Sequence, residues 1–210
     1  IFNDRFRAGS ASGVALDGLR SLRLLEGGVA RSVSTSAALP PKSAPRGVEF
    51  LEFAASHDEA EALGTMLRPL GFRPVAKHRS KDVTLHRQGD VNFIVNAEPD
   101  SAAQRFARAH GPSVCAMAFR VRDAAAALKR AVELGARAVA APVGPMELNI
   151  PAIEGIGGSL IYFVDRYGPG QVSIYDIDFV PTDVTLGLKH EGVGLIEVDH
   201  VTHNVYRGNM

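Results

Sequence analysis

Seven histidines in this 210-residue chain raise the question of metal chemistry, because a neutral imidazole is a common metal ligand. Two of them, His200 and His203, lie three residues apart near the carboxyl end. On a strand this odd spacing places the two side chains on opposite faces, so at most one of them can bind a given ion. The pattern alone favours a structural role for His200 over metal binding. The other histidines have no partner at ligand spacing, and we interpret them as surface or core residues: His57, His78, His86, His110 and His190.

The candidates for nucleophilic chemistry and phosphate binding also favour structural interpretations. Cys115 is the single cysteine, which excludes an internal disulfide and a site of several thiolates, and its apolar neighbours predict a buried thiol. The glycine-rich segment 154–159 lacks the full spacing of a phosphate loop and leads into a predicted strand, where such a loop requires a helix. We interpret this segment as a turn. The sequence therefore contains no complete catalytic motif.

The composition limits the classes of partner. Lys and Arg number 23 together, Asp and Glu also number 23, and there is no basic block, so neither nucleic acid nor an anionic membrane is an expected partner. No apolar run approaches the roughly 20 residues that a membrane helix needs. A single cysteine fits a reducing, cytoplasmic location. We expect a small-molecule or protein partner.

The elements that must position these residues begin with an amino-terminal region of different character. In residues 14–26, apolar side chains recur at three- and four-residue spacing, which predicts a helix after a short strand and loop. Residues 27–47 are rich in glycine, serine, alanine and proline, which is typical of an interdomain linker. We interpret residues 1–26 as the end of one domain, with the next domain beginning near Val48.

Residues 48–193 are predicted to form two βαβββ modules, and hence an α+β fold. The first helix begins at the Ser56-x-x-Glu59 capping box, where Asp58 matches Asp123 at the start of the second helix; the two helices stop at Gly71 and Gly135. Strands of the first copy are expected at residues 48–54, 72–77, 83–87 and 91–95. In the second copy a strand at 114–121 precedes the helix, and residues 136–143 lead into strands at 159–165 and 172–180. The copies are expected to pair their sheets, because one short open sheet buries too little surface.

A third copy of the module is expected to begin at residues 195–201. Residues 194–210 are therefore assigned to the start of a further domain, and the chain is expected to be a fragment at both ends. His200 lies on this predicted strand.

Five segments of the chain, residues 78–83, 87–93, 110–115, 147–159 and 199–210, closely resemble the bacterial 4-hydroxyphenylpyruvate dioxygenase family. That family belongs to the vicinal oxygen chelate superfamily, which is built from paired βαβββ modules. The resemblance agrees with the repeat that the sequence pattern predicts.

The resemblance implies an iron(II) enzyme that converts an aromatic 2-oxo acid and dioxygen to homogentisate. Its metal is held by two histidines and a carboxylate in the carboxyl-terminal pair of modules. The first of these histidines follows an aspartate on the first strand of the third module, and the matching residue here is His200. The other two ligands are expected after Met210, so the fragment alone is expected to be inactive. The amino-terminal pair is implied to serve architecture and subunit contacts, which predicts a homo-oligomer.

Residues 1–10 and 17–22 resemble the last strand and closing helix of a TIM barrel of the sugar phosphate isomerase/epimerase type. This combination resembles bifunctional bacterial proteins that fuse a 3-dehydroshikimate dehydratase to a dioxygenase-like half. The resemblance implies a divalent metal such as Mg²⁺ in the barrel and a cyclic or aromatic carboxylic acid as substrate. Two alternatives remain open for the dioxygenase-like half: an active dioxygenase, or a non-catalytic binding and oligomerisation module that supports the dehydratase, which makes protocatechuate.

Overall fold

The computed structural model describes residues 45–140, 147–182 and 192–203. Its contacts divide the chain into two compact units, Lys42–Asp199 and the combination of Ile1–Pro41 with His200–Met210. The helix and strand expected within residues 1–26, and most of the predicted linker, lie outside the described residues. The fold below is that of the first unit.

The first module has the predicted order of one strand, one helix and three strands. Its elements are β1 (Val48–Ala54), α1 (His57–Leu67), β2 (Arg73–His78), β3 (Val83–Gln88) and β4 (Val91–Asn96). Helix α1 begins at the predicted capping box: the Ser56 side chain accepts from the Glu59 N–H, and the Glu59 carboxylate accepts from the Ser56 N–H. The N-cap is therefore Ser56 and not Asp58. The loop between β3 and β4 consists of Gly89 and Asp90, with Gly89 at a φ of 52°.

A helix that the sequence analysis missed follows the first module. Helix α2 spans Ala102–His110, and its N-cap Ser101 accepts a hydrogen bond from the Gln104 N–H. Its inward face carries Ala103, Phe106 and Ala107, which pack on the sheet. The three- and four-residue spacing of these positions is that of one helix face.

The second module repeats the first with shorter outer strands. Its elements are β5 (Ser113–Arg120), α3 (Ala124–Glu133), β6 (Ala138–Val139), β7 (Ala152–Glu154) and β8 (Leu160–Val164). Asp123 caps α3 as predicted by accepting from the Ala126 N–H. The glycine-rich segment forms a short 3-10 turn at Ile156–Gly158 between β7 and β8, in agreement with its interpretation as a turn.

The two modules join in one sheet of the order β6-β7-β8-β5-β1-β4-β3-β2-β9 in the described chain. Strands β1 and β5 pair antiparallel at the centre, and each is flanked by the last strand of its own module in parallel, β4 and β8. The modules are thus related by an approximate twofold axis between β1 and β5. The predicted pairing of two α+β modules is confirmed.

The strand predicted at residues 172–180 is wrong for most of its length. Residues Ile174–Asp178 form helix α4, and the chain then enters β9 (Phe179–Pro181), which pairs with β2. Ser173 and Asp176 make a capping box at the start of α4. The β-branched and aromatic side chains of this segment favour a strand, but the local cap and the burial of Ile174 and Tyr175 favour the helix.

The strand predicted at residues 195–201 is also not observed. Residues 195–203 carry no strand, because they make no ladder with the sheet in the part of the chain that the structure describes. The segment before Asp199 is instead held by Gln88, whose side chain is fully buried. Gln88 donates from Nε2 to the Leu70 carbonyl at 2.6 Å and accepts at Oε1 from the backbone N–H of Val193 at 3.0 Å.

The contact between Gln88 and residues 192–195 leaves no space for a side chain at Gly192. A Cβ at Gly192 would lie 2.2 Å from Gln88 Oε1, and the residue has a φ of 61°. We expect Gly192→Ala to cost more than the 1–2 kcal/mol or so of a left-handed non-glycine residue, because the Gln88 amide must also move. Urea unfolding and limited proteolysis of the segment measure the loss.

Gly194→Ala is the matched control, since Gly194 also has a positive φ, 95°, and no atom within 4 Å of its Cβ position. It should show the backbone cost alone. Equal loss of stability in the two variants would contradict the steric role of Gln88.

Candidate functional site

A cavity of about 160 Å³ lies over the central strands on the sheet face that carries Phe50, Ile94 and Tyr162. Helix α4 and β9 close one side of it through Ile174 and Phe179. An adjoining cavity of about 360 Å³ reaches to α2. The two cavities share four polar lining residues, Glu52, Lys81, Asn96 and Tyr162. The two modules thus bring side chains from β1, β4 and β8 to one place.

Glu52 lies on β1 where an apolar residue would continue the alternation. Asn96 donates from Nδ2 to Glu52 Oε1 at 2.7 Å. Burial raises the pKa of the Glu52 carboxyl, while the Asn96 hydrogen bond and the charge of Lys81 act in the opposite direction. A partly buried carboxyl with a raised pKa beside a cavity is a feature of binding and catalytic sites.

Residues 147–150, which follow β6, line the cavity and are hydrogen-bonded to other parts of the fold. Glu147 accepts from Lys81 Nζ at 2.7 Å and from the Ser80 hydroxyl at 2.6 Å. Asp178 accepts from the Leu148 N–H at 3.0 Å. These bonds hold residues 147–150 against the face of the sheet.

His78 and Tyr162 also belong to the polar lining of the cavity. The pKa of His78 is lowered, first by burial and then by the Lys81 charge, and its Nδ1 accepts from the Ser80 N–H at 3.2 Å. Burial raises the pKa of the Tyr162 hydroxyl, which stays protonated as a hydrogen-bond donor. The lining therefore offers donors and acceptors within an otherwise apolar enclosure.

The arrangement is suited to binding a small molecule. Within residues 45–140, 147–182 and 192–203, no three His, Cys, Asp or Glu side chains converge as a metal site. The resemblance places the iron triad in the carboxyl-terminal modules, and of its expected ligands only His200 lies among the described residues. No chemical step is therefore assigned through iron here. Among the described helices, none is both long and apolar enough to cross a bilayer.

His200, the predicted metal ligand, lies in the unit formed by the chain's two ends and is exposed. His203 is exposed as well. The structure describes four residues of that unit, so the ligand role of His200 stays a prediction. His190 lies outside the described residues.

The other sequence candidates have structural environments. Cys115 is buried, and desolvation followed by the Glu52 charge raises the pKa of its thiol, which agrees with a packing role. His86 is 5% exposed beneath α1, and its Nδ1 has no hydrogen-bond partner within the described residues. Burial, with a contribution from Arg68, lowers the pKa of His86 to about 4.

The cavity residues were missed by the sequence analysis. The available signal was local: Glu49 and Glu52 interrupt the apolar run of β1, and a charged residue within a central strand needs a partner or a cavity. Their convergence with Lys81, Asn96 and Tyr162 depends on strand pairing and has no local signature.

Residues 42–180 match the family model described as hydroxyphenylpyruvate dioxygenase, HPPD, N-terminal. A hemolysin VllY from Vibrio vulnificus is 58% identical over 78% of this chain and 46% of that protein. A 4-hydroxyphenylpyruvate dioxygenase from Pseudomonas sp. is 54% identical over 78% of this chain and 45% of that protein. A 3-dehydroshikimate dehydratase from Pseudomonas aeruginosa is 46% identical over 96% of this chain and 32% of that protein. The chain spans less than half the length of each of these curated relatives.

One solved structure resembles this chain in both sequence and fold. It is described as a xylose isomerase-like TIM barrel/4-hydroxyphenylpyruvate dioxygenase fusion protein, with a TM-score of 0.63 and 45% identity over 88% of this chain and 31% of that one. The family match across residues 42–180 covers the two paired βαβββ modules that the structure shows. The chain belongs to the family of hydroxyphenylpyruvate dioxygenase amino-terminal domains.

Proposed function

We propose that this chain is the amino-terminal dioxygenase-like region of a bifunctional enzyme. One activity converts an aromatic 2-oxo acid, 4-hydroxyphenylpyruvate, and dioxygen to homogentisate. The other, in a preceding barrel, dehydrates 3-dehydroshikimate to protocatechuate.

The extent of the similarity to the dehydratase carries this proposal. The Pseudomonas sp. dioxygenase aligns with 166 residues, or 78% of the chain, whereas the P. aeruginosa dehydratase aligns with 210 positions, or 96%. The added similarity falls outside the dioxygenase match, and residues 1–26 and 27–47 have the composition of a domain end and a linker. A stand-alone dioxygenase does not account for those residues.

The proposal includes one metal ion for each of the two activities. Fe²⁺ is proposed for the dioxygenase-like half, with His200 as one ligand and the rest of the set outside the described residues. Mg²⁺ or a similar divalent ion is proposed for the barrel. We further propose a cytoplasmic homo-oligomer, in which the large sheet described above contributes to the subunit architecture.

The second candidate function is a non-catalytic module that supports the dehydratase. The described part of the chain is compatible with it in one respect, because it holds a cavity of a size suited to a small molecule. In that case the dioxygenase-like half stabilises the fused enzyme and carries out no oxidation.

The test uses the full-length parent loaded separately with Fe²⁺ and Mg²⁺. We expect 4-hydroxyphenylpyruvate-dependent oxygen uptake and protocatechuate formation from 3-dehydroshikimate, and loss of oxygen uptake alone in His200→Ala. His203→Ala is the matched control and should keep the uptake.

The outcomes separate the two functions. Protocatechuate formation without oxygen uptake in the unaltered protein would leave the supporting module as the function. Oxygen uptake that persists in His200→Ala would show that this histidine is not an iron ligand.

A further inference from the structure

The cavity beside Glu52 has the volume of one six-membered ring. It measures about 160 Å³, and an apolar cavity of about 150 Å³ is enough to hold benzene. Phe50, Ile94 and Ile174 supply apolar wall, and Tyr162 is in ring contact with Phe50 at a centroid distance of 5.8 Å. These aromatic and branched side chains suit a flat apolar ligand.

The Glu52 carboxyl group is only partly hydrogen-bonded within the described residues. Asn96 donates to Glu52 Oε1, while Glu52 Oε2 has no hydrogen-bond donor among the residues that the structure describes. Glu52 is only partly buried, so water that enters the cavity can donate to Oε2. A ligand that fills the cavity displaces this water and loses affinity unless it brings a donor of its own, such as a hydroxyl group.

The charge of the cavity wall restricts the ligand further. Among the residues that the structure describes, three carboxyl groups line it, from Glu52, Glu147 and Asp178, against one ammonium group, from Lys81. Lys81 is already paired with Glu147 at 2.7 Å. A carboxylate ligand would therefore meet repulsion without a cation to offset it. A cationic ligand would lose its hydration to reach an enclosure that is mostly apolar.

We propose that this cavity binds a small neutral phenol, with its ring against Phe50, Ile94 and Tyr162 and its hydroxyl donating to Glu52. Such a site goes beyond the proposed function and does not depend on it, because the substrates of both proposed reactions are carboxylates. The adjoining cavity shares Glu52 and Tyr162 with this one.

The first experiment titrates the 210-residue chain with 4-methylphenol and follows backbone and isoleucine methyl resonances by NMR. We expect saturable shifts at Ile94, Ile174 and Glu52. The methyl ether of the same phenol has the same ring and no hydroxyl donor, and it should bind about tenfold more weakly, since the hydrogen bond to the Glu52 carboxyl group is lost. This comparison needs no protein variant.

Benzoate and benzylamine test the charge argument on the same protein. Both should bind more weakly than 4-methylphenol. Tighter binding of either one would overturn the assignment to neutral phenols. Absence of binding, equal affinity for the phenol and its ether, or shifts confined to residues outside the cavity would overturn the site itself.

A pair of variants locates the hydroxyl partner. Glu52→Leu replaces the carboxyl group with an apolar side chain one atom shorter and removes the acceptor, and it should reduce the affinity for 4-methylphenol by about tenfold or more while leaving that for the ether unchanged. Glu133→Leu, an exposed change on α3, is the control and should leave both affinities unchanged. Equal affinity for the phenol in Glu52→Leu and the unaltered chain would overturn the assigned contact.

Discussion

Replacing Arg120 with methionine is expected to destabilise the chain by about 3 kcal/mol, because it leaves a buried carboxylate without its cation. Arg120 Nε contacts Glu49 Oε2, and the Glu49 side chain is 4% exposed. The pair joins β5 to β1 at the centre of the sheet, next to the bonds that Asn92 and Tyr175 donate to the Glu49 carbonyl. Urea unfolding of Arg120→Met against the unaltered chain measures the loss.

The double variant Glu49→Met/Arg120→Met distinguishes an unpaired charge from lost packing. It should recover most of the stability, because two apolar side chains of similar size can replace a buried pair at little cost. Arg137→Met is the surface control: its pair with Glu154 is 78% and 36% exposed, and the change should cost under about 1 kcal/mol. A double variant as unstable as Arg120→Met would refute the electrostatic explanation.

Lowering the pH from 7 to 4 is expected to reduce the free energy of unfolding by about 3 kcal/mol through the protonation of His86 alone. The imidazole has a pKa of about 4 in the folded chain and an ordinary value of 6.5. Below pH 6.5 the unfolded chain takes up a proton at this residue and the folded chain does not, so the unfolded state is favoured progressively down to about pH 4. The contribution is fully present above pH 6.5 and is lost as the pH falls through this window.

The measurement compares the unaltered chain with His86→Gln, which does not titrate. The difference in their free energies of unfolding should change by about 3 kcal/mol between pH 7 and pH 4. His57→Gln is the control, because the Asp82 carboxylate raises the pKa of the exposed His57 and its effect has the opposite sign. If the difference between the two free energies of unfolding does not change with pH, water reaches His86 in the folded chain and its pKa is not lowered.

Sequence predicts those parts of this fold that local physics determines. The hairpin of β3 and β4 follows from alternation around Gly89, and helix α1 follows from the Ser56 cap. Helix α2 gave a weak signal because two of its three inward residues are alanine. Residues 195–201 alternate like a strand, but alternation supplies no pairing partner, and without one no ladder forms.

The site was much less predictable than the fold. Glu52, Asn96 and Tyr162 are far apart along the chain and meet only because β1 lies between β4 and β5 and β8 pairs with β5. Their burial, and hence the raised pKa of Glu52, arises from tertiary packing. His200 depended on a different kind of information, since only the family resemblance separates a ligand from a structural histidine at that position.

The pairing of β9 with β2 has a consequence for synthesis on the ribosome. Ala76 pairs with Pro181, so the outer edge of β2 has no strand beside it until the whole second module has been made. At 5–20 residues per second this interval lasts roughly 5–20 s. An unpaired edge can join strands of other chains. The nascent first module therefore exposes a site for chaperones, or for neighbouring nascent chains, during that interval.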